Sequence, residues 1–200
     1  MDYLELSIEK LNNDCQKWAL EIQKDYKADL IIYIAKGGYL IGKSFENVFN
    51  VPLIGIKTER RGNKVKDFFM PLIVKLPTLI CNILREIELK TNIHNKCKNR
   101  KVVIDYDSIN KINKKEIDKI LIVDDSVDTG YSMKFVCDEI KKIFVNSKVK
   151  LAAINIWSDS EKVINIDYFM YKDVIIRTPM SKDSKEYDTF LKLYNERKER

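Results

Sequence analysis

Ile120-Leu121-Ile122-Val123-Asp124-Asp125-Ser126-Val127-Asp128-Thr129-Gly130-Tyr131-Ser132 carries the signals of a buried strand, a tight turn and a helix start in immediate succession. Its first four residues form a continuous apolar, β-branched run, the pattern of a parallel strand buried on both faces. The run ends in two adjacent carboxylates, at the strand end where open α/β sheets bind their ligands. From Tyr131 to Phe144 the apolar residues (Phe135, Val136, Ile140, Ile143, Phe144) take helical spacing, so strand, turn and helix follow one another. The turn between them has the parts of a phosphate cradle. Gly130 lets the backbone approach closely, the first N–H groups of the helix supply partial positive charge, and Thr129 and Ser132 bring hydroxyls. Carboxylates beside a phosphate cradle are consistent with a sugar phosphate, its hydroxyls donating to Asp124 and Asp125. The alternative from the same residues is an ordinary strand followed by a capped helix, because Asp and Thr are good caps.

Outward from this segment the βαβ grammar repeats. Leu30 to Ala35 is a second continuous apolar run, stopping at Lys36-Gly37-Gly38. Tyr39 to Phe49 reads as the following helix and Leu53 to Ile56 as the next strand. Leu4, Ile8, Leu11, Cys15, Trp18 and Ile22 step by four and three and predict an N-terminal helix with one apolar face. Val102 to Ile104, Val149 to Trp157, Tyr168 to Met170 and Val174 to Ile176 read as further strands, and Tyr187 to Tyr194 begins a C-terminal helix. Between them, 57–101 is expected to be an insertion with one or two helices, since about 45 residues make a poor core alone.

Composition agrees with a globular α/β chain. The 200 residues are 45% hydrophobic by class and 33% charged, too apolar for a disordered polymer and too charged for a membrane protein. The apolar run Leu72 to Leu84 contains Lys75, Pro77 and Asn82 and is too short to span a bilayer. The net charge of +6 suits an anionic small molecule. The basic residues are scattered, and the mild cluster at Lys96, Lys98, Arg100 and Lys101 reads as a solvated face, so nucleic acid is not expected as a partner. The four cysteines have no CxxC spacing, and His94 is the single histidine, so no zinc set is expected. With no basic leader and apolar h-region at the N-terminus, the chain is expected to be cytoplasmic.

Ile120 to Ser132 closely resembles the phosphoribosyl pyrophosphate loop of the type I phosphoribosyltransferases. Ile34-Ala35-Lys36-Gly37-Gly38-Tyr39 resembles the pyrophosphate-binding loop of the hypoxanthine/xanthine-guanine branch, and it stands at the corresponding place after an earlier strand. The two motifs and the βαβ pattern cover roughly 28–56 and 119–179. The resemblance implies a single domain over 1–200, a mostly parallel sheet flanked by helices, a small C-terminal hood over 155–182, and the insertion. It implies that Asp124 and Asp125 accept from the ribose 2- and 3-hydroxyls, that Asp128 is the general base, and that Thr129, Gly130, Tyr131 and Ser132 hold the 5-phosphate. Lys36 and Gly37 would contact pyrophosphate, with a cis peptide at Ala35-Lys36. Mg²⁺ is implied as the counter-ion of the donor's pyrophosphate, held largely by donor oxygens and waters, with no metal-ligating set of the protein's own.

The departures lie in the acceptor half. Asp173 to Met180 can be laid on the family's hood stretch without a gap, which puts Ile175 where a stacking ring is usual. The purine-binding lysine has no clear counterpart: Trp157-Ser158 falls near its place and Lys162 is the nearest basic residue on the following loop, with Lys172 and Arg177 the other candidates. The implied function is transfer of the 5-phosphoribosyl group to a 6-oxopurine in salvage. A glycan sugar hydroxyl as acceptor, or a non-catalytic nucleotide sensor, are the alternatives, and a homodimer is left open.

Overall fold

A computed structural model describes residues 3–60, 100–103 and 109–197. Among these, the strands and the longer helices follow in the order β1 (Tyr3–Glu5), α1 (Ile8–Asp25), β2 (Leu30–Ala35), α2 (Tyr39–Phe49), β3 (Leu53–Arg60), β4 (Arg100–Val103), β5 (Lys119–Val127), α3 (Tyr131–Ile143), β6 (Lys148–Ile156), β7 (Tyr168–Lys172), β8 (Ile175–Arg177) and α4 (Tyr187–Glu196). Residues 59–101 form a compact unit of their own and the remainder another. The ends of the expected 57–101 insertion are strands, Lys57 to Arg60 in β3 and Arg100 and Lys101 in β4; the rest of it, with Phe68 to Leu84 and His94, lies outside the described residues.

The six-stranded sheet has the order β4-β3-β2-β5-β6-β7, and β2, β3, β5, β6 and β7 pair in parallel. The chain steps from β2 to β3 in one direction and from β5 through β6 to β7 in the other. The strand order therefore reverses between β2 and β5, and a crevice opens at their carboxyl ends. The β2 and β5 side chains divide between two cores. Ile31, Tyr33, Leu121 and Val123 pack with α1, α2 and α4. Leu30, Ile32, Ile34, Ile120 and Ile122 pack with Met133, Val136 and Ile140 of α3. Burial on both faces is why these runs are continuously apolar rather than alternating.

Register between the two central strands is fixed at their starts. Asp29 Oδ2 accepts from the N–H groups of Lys119 (2.8 Å) and Asp118 (3.1 Å), and the Asp29 N–H donates to Lys119 O. With Tyr33 opposite Val123, the loops that follow β2 and β5 leave the sheet close together.

The N-terminus departs from its sequence reading. The helix starts at Ile8, with the Ser7 hydroxyl accepting from the Lys10 N–H, and Leu4 lies in β1 instead. β1 pairs in parallel with β8, Tyr3 opposite Ile175 and Glu5 opposite Arg177, so both ends of the chain build the small second sheet. Within 155–182, Asn155 and Ile156 end β6, β7 belongs to the main sheet, and β8 belongs to the small one.

Candidate active site

β5 runs on through the acidic pair to Val127, further than its apolar run, because it still pairs with β6 (Asp124 opposite Ala153, Val127 opposite Ile156). Asp124 is buried and Asp125 half-buried. Asp124 Oδ1 accepts from the Asp125 N–H (2.9 Å), and Asp125 Oδ1 accepts from the Ser126 N–H (2.9 Å). Burial, and then the charge of Asp125, push the Asp124 carboxyl well above the usual carboxylate range. Burial raises Asp125 as well, with the Asp128 charge adding to it. The pair is a site short of positive charge, so a group that brings hydroxyl donors or a cation relieves it. Two residues on, Ser126 Oγ donates to Asp128 Oδ1 (2.7 Å), which fixes the orientation of that carboxylate at the mouth of the turn.

Gly130 is the residue before α3 and has φ +77°, a conformation that side-chain-bearing residues rarely adopt. No side chain caps α3, so the ordinary capped-helix alternative does not describe this turn. Thr129, Tyr131 and Ser132 are half-buried around those first N–H groups. The geometry is that of an anion site: a tight glycine turn opening onto a helix N-terminus.

The loop after β2 packs directly on the acidic pair. A Cβ placed on Gly37 would lie 2.2 Å from Asp125 Oδ1 and 2.5 Å from its Cγ, so only glycine leaves the carboxylate where it is. A Cβ on Gly38 would lie 2.6 Å from Val123 O. Ala35-Lys36 is cis, as the resemblance implies. Lys36 is exposed, its ammonium 5.6 Å from the centroid of the Tyr194 ring. Thus Lys36 and Gly37 stand with Asp124, Asp125, Asp128 and the 129–132 turn at the reversal of strand order.

The acceptor-side candidates are not gathered in the same way. Lys162 is exposed and pairs with Asp159 (2.6 Å), and Lys172 pairs with Glu161 (2.8 Å). Arg177 is buried, its Nε donating to Asp183 Oδ2 (3.0 Å) with Glu5 3.7 Å away. Ile175 is buried in β8 opposite Tyr3. The Trp157 N–H donates to Val127 O, tying the end of β6 to the acidic loop. Among the described residues no group of three or more His, Cys, Asp or Glu side chains is set to hold a metal ion. The acidic pair nevertheless fits an ion carried mainly by a ligand's own oxygens, since both carboxyls are buried beside like charge and, among the described residues, neither pairs with a cation. Sequence reasoning missed Tyr194, whose ring meets Lys36 from the last helix, with Arg197 over the same ring. No local pattern marks them, because the contact spans more than 150 residues.

A family model described as a phosphoribosyl transferase domain matches residues 6–181. Among solved structures, a purine phosphoribosyltransferase from Pyrococcus horikoshii Ot3 is similar at 20% identity, with a TM-score of 0.58 over 90% of this chain and 93% of that one. A Neisseria gonorrhoeae hypothetical protein solved with bound ppGpp aligns at 16% identity and a TM-score of 0.60, covering 97% of this chain and 96% of its own. Helicobacter pylori xanthine-guanine-hypoxanthine phosphoribosyltransferase aligns at 13% identity and 0.56, covering 87% and 91%. At these identities the likeness is one of fold. No curated protein matches the chain. Among the described residues no helix is long and apolar enough to cross a membrane.

Proposed function

Because the chain belongs to the phosphoribosyltransferase family, we propose that it transfers the 5-phosphoribosyl group from phosphoribosyl pyrophosphate to a small acceptor, with Mg²⁺, in the cytoplasm. One observation carries this reading: Gly37, in the loop after β2, lies against the Asp125 carboxylate near the end of β5, so one ligand can touch the β2 loop and the end of β5 together. The ribose hydroxyls donate to Asp124 and Asp125, the 5-phosphate rests on the uncapped start of α3, and the pyrophosphate lies toward Lys36 and Gly37.

Breaking the bond from C1 to pyrophosphate builds positive charge on the ribose ring and negative charge on the leaving oxygens. Mg²⁺, when bound with the donor, neutralises part of the pyrophosphate charge, with Asp124 and Asp125 as the carboxylates that would face it. Lys36 stabilises the departing oxygens, and the carboxylates favour the cationic sugar. Ser126 holds Asp128 by Oδ1, and Asp128 takes the acceptor's proton as the new bond to C1 forms. Such general-base help contributes about 10² to 10⁴-fold.

The acceptor in this reading is a 6-oxopurine in salvage, covered by Ile175. Its support is the hood resemblance. The second reading, a sugar hydroxyl, is favoured by one observation: Lys162, Lys172 and Arg177 are all held by carboxylates, leaving none of these three as the cation for a 6-oxo oxygen. The deciding experiment incubates the protein with phosphoribosyl pyrophosphate, Mg²⁺ and a panel of bases and sugars, and follows pyrophosphate release. Turnover with hypoxanthine or guanine supports salvage, and turnover with hydroxyl acceptors alone supports the second reading. Silence with every acceptor contradicts transfer.

A further inference from the structure

Tyr194 lies in the last helix, far in sequence from the β2 loop, yet its ring carries two cations. The Lys36 ammonium is 5.6 Å from the ring centroid and the Arg197 guanidinium 3.9 Å. Arg197 Nη2 also donates to the Tyr194 hydroxyl (2.8 Å). The ring itself is fixed: Tyr194 is 2% exposed, and Tyr39, the first residue of α2 and three beyond Lys36, packs edge-on against it at 5.3 Å and 86°. The Tyr33 ring of β2 lies 5.4 Å from the same guanidinium. Among the described residues neither Lys36 nor Arg197 pairs with a carboxylate.

A lysine on an exposed loop has a flexible four-carbon stem, and ordering it costs conformational entropy at the moment a ligand binds. A cation held over an aromatic face is already ordered, at little loss of charge, because the ring offers a quadrupole rather than a counter-ion. Resting on the proposed transfer reaction, we infer that Tyr194 is a positioning residue of the pyrophosphate subsite: its ring holds the Lys36 ammonium in place for the leaving group, and α4 thereby forms part of the donor site. The helix at the end of the chain then contributes to donor affinity without touching the ribose or its phosphate.

The test measures Mg²⁺-dependent binding of inorganic pyrophosphate, with ribose 5-phosphate as control, for the full chain carrying Tyr194→Leu, Tyr194→Phe, Lys36→Ala and Lys36→Ala with Tyr194→Leu. A cation–π contact at an exposed site corresponds to about a two- to fivefold change in affinity, so Tyr194→Leu is expected to weaken pyrophosphate by that factor. Ribose 5-phosphate affinity should not move, and Tyr194→Phe, which keeps the ring, should bind pyrophosphate as the unaltered protein does. In the Lys36→Ala background, Tyr194→Leu should add nothing. Equal weakening of both ligands, or an undiminished Tyr194→Leu effect without Lys36, would reduce Tyr194 to a packing residue and overturn the inference. If the unaltered protein binds ribose 5-phosphate and pyrophosphate but Tyr194→Leu matches it for both, only this inference falls. If the unaltered protein binds neither, the transfer reading falls with it.

Discussion

Gly37→Ala and Gly38→Ala, adjacent and chemically identical changes, should fail in different ways. At Gly37 the new Cβ would sit 2.2 Å from Asp125 Oδ1, 2.5 Å from Cγ and 2.9 Å from Oδ2. The obstacle is a side-chain carboxylate, which can swing aside, so the backbone survives. Swinging aside breaks the 2.9 Å bond that Oδ1 accepts from the Ser126 N–H and takes the carboxylate away from a ribose hydroxyl. A hydrogen bond to a charged group contributes about 1.5–3 kcal/mol, which corresponds to about a 10- to 150-fold loss of donor affinity. At Gly38 the Cβ would meet Val123 O at 2.6 Å and the main chain of Ile34 at 3.0 Å, in the two central strands. Those atoms cannot give without opening the sheet, so the cost, about 1–3 kcal/mol or more for overpacking, falls on stability. Calorimetric titration with phosphoribosyl pyrophosphate in excess Mg²⁺, beside thermal melts, separates the two. Gly37→Ala should melt near the unaltered protein and bind weakly, and Gly38→Ala should melt several degrees lower. Wild-type affinity in Gly37→Ala would mean that Asp125 does not face the donor.

Asp124→Asn should stabilise the unliganded protein, increasingly so as pH rises. The native Asp124 carboxyl holds its proton above the ordinary 3.8, so the wild type loses stability between that value and its raised native one, and asparagine does not. Each tenfold increase in native proton affinity is worth about 1.4 kcal/mol, or about 3–5 °C. Melts from pH 4 to 8 in which the two proteins differ by a constant amount would contradict the buried repulsion. Lys36→Ala should weaken phosphoribosyl pyrophosphate far more than a nucleoside monophosphate in competition binding, since only the former carries the group assigned to Lys36. Asp128→Asn should lower the rate of pyrophosphate release by about 10² to 10⁴-fold with donor affinity retained, and a joint loss of binding would move Asp128 out of the base role.

The central strands and the loops after β2 and β5 were legible in sequence because their physical signals are local. Leu30 to Ala35 and Ile120 to Val123 are apolar without interruption since both faces of β2 and β5 are covered, and glycines at 37, 38 and 130 mark where backbone meets carboxylate, carbonyl or a tight turn. The signal weakens where pairing is non-local. β1 has three residues, too few for a period of two, and Leu4 fits the helical spacing of Ile8 and Leu11 by coincidence. β5 extends past its apolar run because β6 continues to pair with it, a fact held by another segment. Lys162, Lys172 and Arg177 are basic residues in the matched region; Asp159 stands three residues before Lys162, but Glu161 and Asp183 come to Lys172 and Arg177 only through the fold. The aromatic platform at Tyr194 is likewise written in two distant parts of the chain, 33–39 and 194–197.

The proposed transfer requires that the loop after β2 and the end of β5 form one donor site, with Asp124 and Asp125 turned to ribose. The most direct measurement is calorimetric titration of phosphoribosyl pyrophosphate and Mg²⁺ into the unaltered protein and into Asp124→Asn with Asp125→Asn, each verified as folded by thermal melt. The unaltered protein should bind saturably and the double variant should show no binding while melting no lower. Unchanged affinity in a folded double variant would contradict the claim.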